Sequence, residues 1–542
     1  MKVRKLNMRG EKKMQLNIFD TYCNPIVLPD YPLMPVLNGK NYVGTGEWGR
    51  GDKQFVRDAD LILETEGPDA LPRLPFGGGP TPFRWDAEND VRATADPSCL
   101  YYEGRWYLYC TGGMVYDSAD FVHWTSHPDA TWLPISEPMA PTVEVFRGKF
   151  YATANSVPLH VSDSPLGPWK QVGEWVLPDG REMLANDPMI FRDGERLYLY
   201  WGLGLGIFGA ELDPETPNHL ITTPRRLIRF DGNHAWERMG ANNENWGFGC
   251  PEGSWMYRHD GKYYLTYSVC GTEYYSYCMG AYVSDSPLGP FRLQKKNPIS
   301  RSDRGLIRGG GHGSIVDGPE GTIWCFYTIP VCIDHVFERR IGIDPCGIDE
   351  NGELYALTGC DAPQFRPGAL KHPEAGNATG LVSCTAFALS DASSYAPGHR
   401  PMYALDEVLH TWWQPAAEDA APYFAVSLGA GYYISAVRLL WKDVGLNFAE
   451  NVYPGAYRYV IEGAATEDSA DWFTLVDASE NTEDLSVDYR PFEERLLGKI
   501  RIRILGAPKG VIPGILNFTA FSESAARRSM WGHAPLLPRE EN

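Results

Sequence analysis

No run of residues in this 542-residue chain is long and apolar enough to span a membrane, no two of its eleven cysteines are spaced as a CxxC pair, and its basic residues form no stripe. Each absence removes a class. Without an apolar span of about 20 residues there is no transmembrane helix. Without CxxC pairs, and with an odd number of cysteines scattered from Cys23 to Cys384, neither a zinc site nor a disulfide framework is indicated. With 49 basic against 69 acidic residues, a formal net charge of -20, the chain repels phosphate backbones, which excludes nucleic acid as a partner. Residues 1–20 have the positive charge of a signal-peptide start but lack the apolar stretch of about seven or more residues and the small-residue cleavage site that should follow. The expectation is a reduced, cytoplasmic protein with more than one domain, of a composition that says nothing about oligomeric state.

What is present is repetition. The octapeptide VSDSPLGP occurs at Val161–Pro168 and again at Val283–Pro290. Upstream of each copy lie short alternating strands rich in aromatics, separated by a charged-residue–glycine turn, the pattern of a β-meander. APTVEVFRGKFYATANSVPLHVSDSPLGPW and PEGSWMYRHDGKYYLTYS show it most clearly, and DPSCLYYEGRWYLY, NDPMIFRDGERLYLYWG and GHGSIVDGPEGTIWCFYT follow the same scheme. The five units start near Asp96, Ala140, Asp187, Glu252 and His312, at separations of 44, 47, 65 and 60 residues. Such spacing suits four-stranded blades with loops of variable length, so an all-β fold built on a five-bladed β-propeller is expected. The octapeptide reads as a turn, with proline and glycine setting the backbone and serine and aspartate bonding the main chain.

In a propeller the innermost strands of all blades face one channel, so the residues that open each unit meet there. Three units open on a carboxylate beside proline: Asp96-Pro97, Asp187-Pro188 and Pro251-Glu252; a fourth opens on His312 among glycines. Cleavage of a glycosidic bond needs one protonated acid on the leaving oxygen and one ionised base, and a third carboxylate can hold up the pKa of the acid. A lone Asp-Pro is commonly a structural turn, and a lone histidine is as readily a packed wall residue as a ligand. Trp201, closing its strand before Gly202, is the aromatic best placed to be a sugar platform.

The segments ADPSCLYYEGRWYLY, NDPMIFRDGERLYLYWG, CPEGSWMYRHDGKYYLTYS and GGGHGSIVD, in that order, resemble glycoside hydrolase family 43 over roughly residues 20–365. The resemblance implies a five-bladed propeller, inversion at the anomeric carbon, Asp96 as general base, Asp187 as pKa modulator and Glu252 as general acid. It also implies that His312 holds a structural calcium ion or its water shell. FERRIGIDP resembles the last-blade stretch whose arginine contacts substrate hydroxyls, which makes Arg340 the first choice and Arg339 the second. Two features depart from the family pattern: Thr142 stands where members commonly carry an acid, and a long segment, 24–92, precedes the base.

The proline- and glycine-rich stretch 366–380 reads as a linker between a catalytic domain at 1–365 and a second domain at 381–525, followed by a polar tail at 526–542. The second domain shows short strands without a helical period and reads as a jelly-roll-like β-sandwich. ALDEVLHTWWQ and YFAVSLGAGYYISAVRLLW within it resemble discoidin-type, galactose-binding-like modules, some of which bind sugars while others only pack. The resulting expectation is an inverting, exo-acting glycosidase that removes terminal pentosyl residues from plant-type oligosaccharide or polysaccharide, with α-L-arabinofuranosidase first and β-xylosidase or β-galactofuranosidase next. The contrasting class is a silent, sugar-binding propeller. A propeller phosphorylase would need basic residues converging on phosphate beside a single acid, which the sequence does not offer.

Overall fold

The structure is a computed structural model and describes residues 17–34, 36–37, 40–41, 55–71, 90–128, 139–302 and 305–523. The expected tail at 526–542 and the start of the chain before residue 17 lie outside the described residues.

Five four-stranded antiparallel sheets follow one another along the described chain, each in simple sequential strand order. Blade 1 runs from Ala95–Tyr102 to Thr125–Ser126, blade 2 from Thr142–Phe146 to Lys170–Gly173 and blade 3 from Met189–Asp193 to Arg225–Ile228. Blade 4 runs from Glu252–His259 to Arg292–Leu293, and blade 5 from Gly311–Asp317 to Leu354–Ala356. This is the five-bladed propeller that the spacing of the repeats predicts. The first hairpin of blades 1, 2 and 4 turns on Glu103-Gly104, Arg147-Gly148 and Asp260-Gly261, in which both residues have φ between 45° and 78°. Two successive positive φ angles define the tight turn whose twist matches that of the flanking strands, which is why a glycine recurs there.

The repeated octapeptide joins the third strand to the fourth in blades 2 and 4. Ser162 and Ser284 accept hydrogen bonds from the backbones of Ser164 and Ser286, each at 3.0 Å. The repeat also docks neighbouring blades: the buried hydroxyl of Tyr109 in blade 1 donates to the carbonyl of Pro165 at 2.8 Å, and that of Tyr200 in blade 3 donates to Pro287 at 2.6 Å. Each copy thus satisfies a tyrosine hydroxyl that burial would otherwise strand. Blades 5 and 1 close the ring through the backbone N–H groups of Asp96 and Cys99, which donate to Thr328 Oγ1 at 2.8 Å and Ser314 Oγ at 3.1 Å.

The single α-helix among the described residues, α1 at Asp58–Thr65, packs Leu61 and Ile62 into the core of blade 3 beside Trp201. Trp201 is fully buried, stacks on Phe208 and donates its indole N–H to Asp58 Oδ1 at 3.0 Å. It is therefore part of the scaffold and cannot serve as a sugar platform.

The C-terminal module is one seven-stranded antiparallel arrangement around Trp413, Phe424, Trp441 and Phe518. Its 22-residue strand Tyr423–Val444 serves two layers: the first part pairs with Leu389–Ala392, and the later part with Ile512–Glu523. The strand Val487–Gly506 runs beside it across two register shifts. The stretch 366–380 does connect the two modules, but it is tied down along its length. Asn377 donates to the Phe365 carbonyl at 2.8 Å, and Thr379 Oγ1 donates to that of Pro363 at 2.7 Å. Directly before it, Gln364–Phe365 pairs with Thr21–Tyr22.

Candidate active site

The innermost strands of blades 1, 4 and 5 share an irregularity at their start, where two residues are skipped between Ala95 and Ser98, Glu252 and Trp255, and Gly311 and Ser314. Counting back from the regular ladder, the same position in successive blades is held by Asp96, Ala140, Asp187, Gly253 and His312. All five have positive φ, from 29° for His312 to 57° for Gly253. The long side chains fall in blades 1, 3 and 5, and the small ones in blades 2 and 4. Asp96, Asp187 and Glu252 are thus not in one register: the two aspartates are, whereas Glu252 stands one residue earlier and Gly253 takes its blade's left-handed position. Glycine is required there twice over, because a Cβ on Gly253 would sit 2.6 Å from the His312 ring.

This placement brings the acids together. His312 Nδ1 lies 3.4 Å from Asp96 Oδ1 and 3.9 Å from Asp187 Oδ2. Arg339 Nη1 lies 3.3 Å from Asp96 Oδ1, and Thr111 Oγ1 donates to Asp96 Oδ2 at 2.6 Å. The backbone N–H of Gly253 donates to Asp187 Oδ2 at 3.3 Å, which sets Asp187 against the start of the strand carrying Glu252. Tyr277 donates its hydroxyl to Glu252 Oε1 at 2.5 Å.

The electrostatic consequences differ from one carboxyl to the next. Burial alone would raise Asp96, but Arg339, His312 and the Thr111 hydroxyl outweigh it and hold the group below the usual carboxylate range. Burial, helped by the charges of Asp96 and Glu273 and opposed by the Tyr277 hydrogen bond and the Arg339 charge, lifts Glu252 to about 7. Asp187 is pushed well above its ordinary value by burial and by the charges of Glu252 and Asp96. Burial, with Arg339 nearby, keeps His312 below the usual histidine value despite Asp96. Below about pH 7 the site therefore pairs an ionised carboxylate, Asp96, with a carboxyl that is mostly protonated, Glu252.

Of the two arginines, Arg339 is the one beside the acids. Arg340 turns the other way, toward Arg92 and Ser486, because adjacent residues of a strand project to opposite faces. The loop Gly271–Tyr277 supplies further residues that sequence reasoning missed. Thr272 Oγ1 accepts from Arg339 Nη1 at 3.4 Å, and the neighbouring Glu273 is buried with its carboxyl lifted to about 7 by that burial. Arg339 Nε is buried with no hydrogen-bond partner among the described residues. These residues lie in no repeat, so the only signal was an acid among aromatics in GTEYYSY.

Among the described residues no three His, Cys, Asp or Glu groups converge as metal ligands. Calcium takes roughly six to eight oxygens, whereas His312 offers a ring nitrogen already facing Asp96. No chemical step is assigned to a metal here.

The sequence profile of glycosyl hydrolases family 43 matches residues 87–358, half of the chain. The chain belongs to this family. Its match to a β-xylosidase from Xylanibacter ruminicola is 25% identical over 177 residues, 28% of this chain and 51% of that protein, so it spans about half the relative's length. A β-D-galactofuranosidase from Aspergillus niger is 24% identical over 295 residues, covering 48% of this chain and 81% of the relative. An arabinoxylan arabinofuranohydrolase from Paenibacillus polymyxa is 25% identical over 270 residues, 39% of this chain and 41% of the relative. Among solved structures, a thermostable family-43 glycoside hydrolase is 25% identical with a TM-score of 0.44, covering 51% of this chain and 97% of its own.

Proposed function

We propose that this family-43 protein is an inverting, exo-acting glycosidase that removes terminal pentosyl residues from plant-type glycans, with α-L-arabinofuranosidase as its leading specificity. The observation that carries the reading is the opposite ionisation of two buried carboxyls in one site: Asp96 held charged beside Arg339, and Glu252 lifted to about 7. Glu252 protonates the leaving oxygen. Asp96 takes a proton from the water that attacks the anomeric carbon, so one C–O bond forms as the other breaks. Asp187, against the Glu252 strand, keeps the pair's shared charge low, and Arg339 holds Asp96 in its charged form.

The relatives' names leave room for β-xylosidase and β-D-galactofuranosidase on the same machinery. A screen of chromogenic α-L-arabinofuranosides, β-D-xylosides and β-D-galactofuranosides, with NMR of the first-formed sugar, tests both parts of the reading. Release of the inverted anomer from the arabinofuranoside is expected. A retained anomer removes Asp96 as the base, and no turnover of any glycoside favours a silent binder.

For the sandwich, the proposed accessory role is saccharide contact at a concave pocket lined by Leu389, Tyr423, Trp472, Lys499 and Arg501. The supporting feature is an aromatic ring flanked by charged groups, Trp472 under Arg501 at 4.1 Å. Trp472→Ala in the full chain should reduce retention on insoluble arabinoxylan; unchanged retention removes this role.

A further inference from the structure

Arg340 is buried, and its hydrogen bonds go to two backbone carbonyls and a hydroxyl rather than to a carboxylate. Its Nη1 donates to the backbone carbonyl of Arg339 at 2.9 Å and to that of Arg92 at 3.3 Å. Its Nη2 donates to Ser486 Oγ at 3.0 Å, and its guanidinium carbon lies 4.8 Å from the centre of the Tyr31 ring. The two carbonyls belong to segments that matter: Arg92 leads into the strand bearing Asp96, and Arg339 itself touches Asp96. The same junction is tightened by the Thr94 N–H, which donates to the Arg339 carbonyl at 3.3 Å. The sandwich holds it from outside, because Arg92 Nε lies 2.8 Å from Asp443 and its Nη1 lies 2.5 Å from Asp484.

We propose that Arg340 is a positioning residue: anchored on Ser486 of the C-terminal module, it staples the Arg92 and Arg339 backbones together and thereby fixes the Arg339 guanidinium against Asp96. The sandwich is then part of the catalytic apparatus. The inference rests on the function proposed above in that Asp96 acts on substrate, while the staple is a statement about geometry alone. Arginine suits the place because one planar fork reaches two carbonyls and a hydroxyl at once, whereas lysine is a single point donor on a flexible stem.

The test is a double-mutant cycle on turnover of a chromogenic arabinofuranoside, well below the melting temperature. Arg340→Lys and, should that variant fold poorly, Ser486→Ala are each made in the wild-type chain and in Arg339→Met. Small misplacements of a site residue cost up to about a hundredfold, so a fall in kcat of about tenfold with little change in KM is expected in the wild-type background. In Arg339→Met the same substitutions should cost nothing further, since the group they position is gone. Equal losses in both backgrounds would show a merely structural role and overturn the proposal. If the wild-type protein turns over no glycoside, the proposed function falls and the staple is judged from the crystal structure of Ser486→Ala. Arg339 moved away from Asp96 upholds the staple, and an Arg339–Asp96 separation unchanged from 3.3 Å refutes it.

Discussion

Tyr277 donates its hydroxyl to Glu252 Oε1 at 2.5 Å, so one oxygen of the buried carboxyl is firmly engaged, while the other meets only the weak Cys250 thiol donor at 3.8 Å and can carry the transferable proton. The bond favours the ionised form and opposes the burial that lifts Glu252 to about 7. Tyr277→Phe should raise Glu252 further. The general acid is active while protonated, so a higher pKa extends activity toward alkaline pH: the basic limb of kcat/KM should move up by about one pH unit. A weaker acid also donates less readily, so kcat should fall by up to about tenfold. A basic limb that stays in place would separate Tyr277 from the acid's titration.

Glu252→Gln should keep the fold, because glutamine fills the same space and can still accept from Tyr277. Loss of the proton donor should cost about 10²- to 10⁴-fold on glycosides with poor leaving groups. Activated aryl glycosides, whose leaving groups need little protonation, should suffer much less. Equal small losses on both substrate types would remove Glu252 from the role of acid.

Asp58 ties helix α1 to Trp201, and burial lifts its carboxyl to about 7 from an ordinary value of 3.8. The folded state then binds a proton that the unfolded state has released between pH 3.8 and about 7, so stability from this group is present below that window and is lost as pH rises through it. One pH unit of such a shift corresponds to about 1.4 kcal/mol, which puts the full loss at about 4 kcal/mol. Asp58→Asn keeps an acceptor for the indole N–H and cannot ionise. Its melting temperature should therefore gain on wild type between pH 5 and pH 8; a constant difference across that range would count against an ionising Asp58.

Blade count, blade order and the residues at the blade starts were legible because they repeat, and repetition survives even where single strands are ambiguous. Asp96, Asp187, Glu252 and Arg339 all reach one site. What the pattern could not show is which of two adjacent arginines faces the channel, since one residue of register reverses every side chain. Nor could it show that Glu252 is offset from the aspartates, because the irregularity that shifts it is a property of the ladder. Trp201 failed as a platform for a different reason: the helix that covers it, at Asp58–Thr65, comes from the long segment before blade 1, remote in sequence. Thr142, unusual as a sequence feature, donates its hydroxyl to the Pro188 carbonyl at 2.7 Å and so links blades 2 and 3.

The junction between the modules bears on what happens when the sandwich is removed. Arg92 is 2% exposed, and the carboxylates facing it, Asp443 and Asp484, belong to the sandwich. Arg438 of the sandwich reaches back to the Asn24 carbonyl at 2.6 Å and the Asp361 carbonyl at 2.9 Å. Breaking a buried pair by deleting one partner typically costs about 3–5 kcal/mol, against a total stability of about 5–15 kcal/mol for a domain. A chain ending at Gly380 would lose both acids at once and expose the apolar face that the sandwich covers. It should accumulate as insoluble protein, and co-expression of the sandwich as a separate chain should restore part of the soluble yield. The paired change Asp443→Asn with Asp484→Asn in the full chain should lower the melting temperature by several degrees without changing the choice of sugar. A soluble, fully active propeller from the shortened chain, weakened only on polymeric substrate, would instead assign the sandwich a purely substrate-binding role.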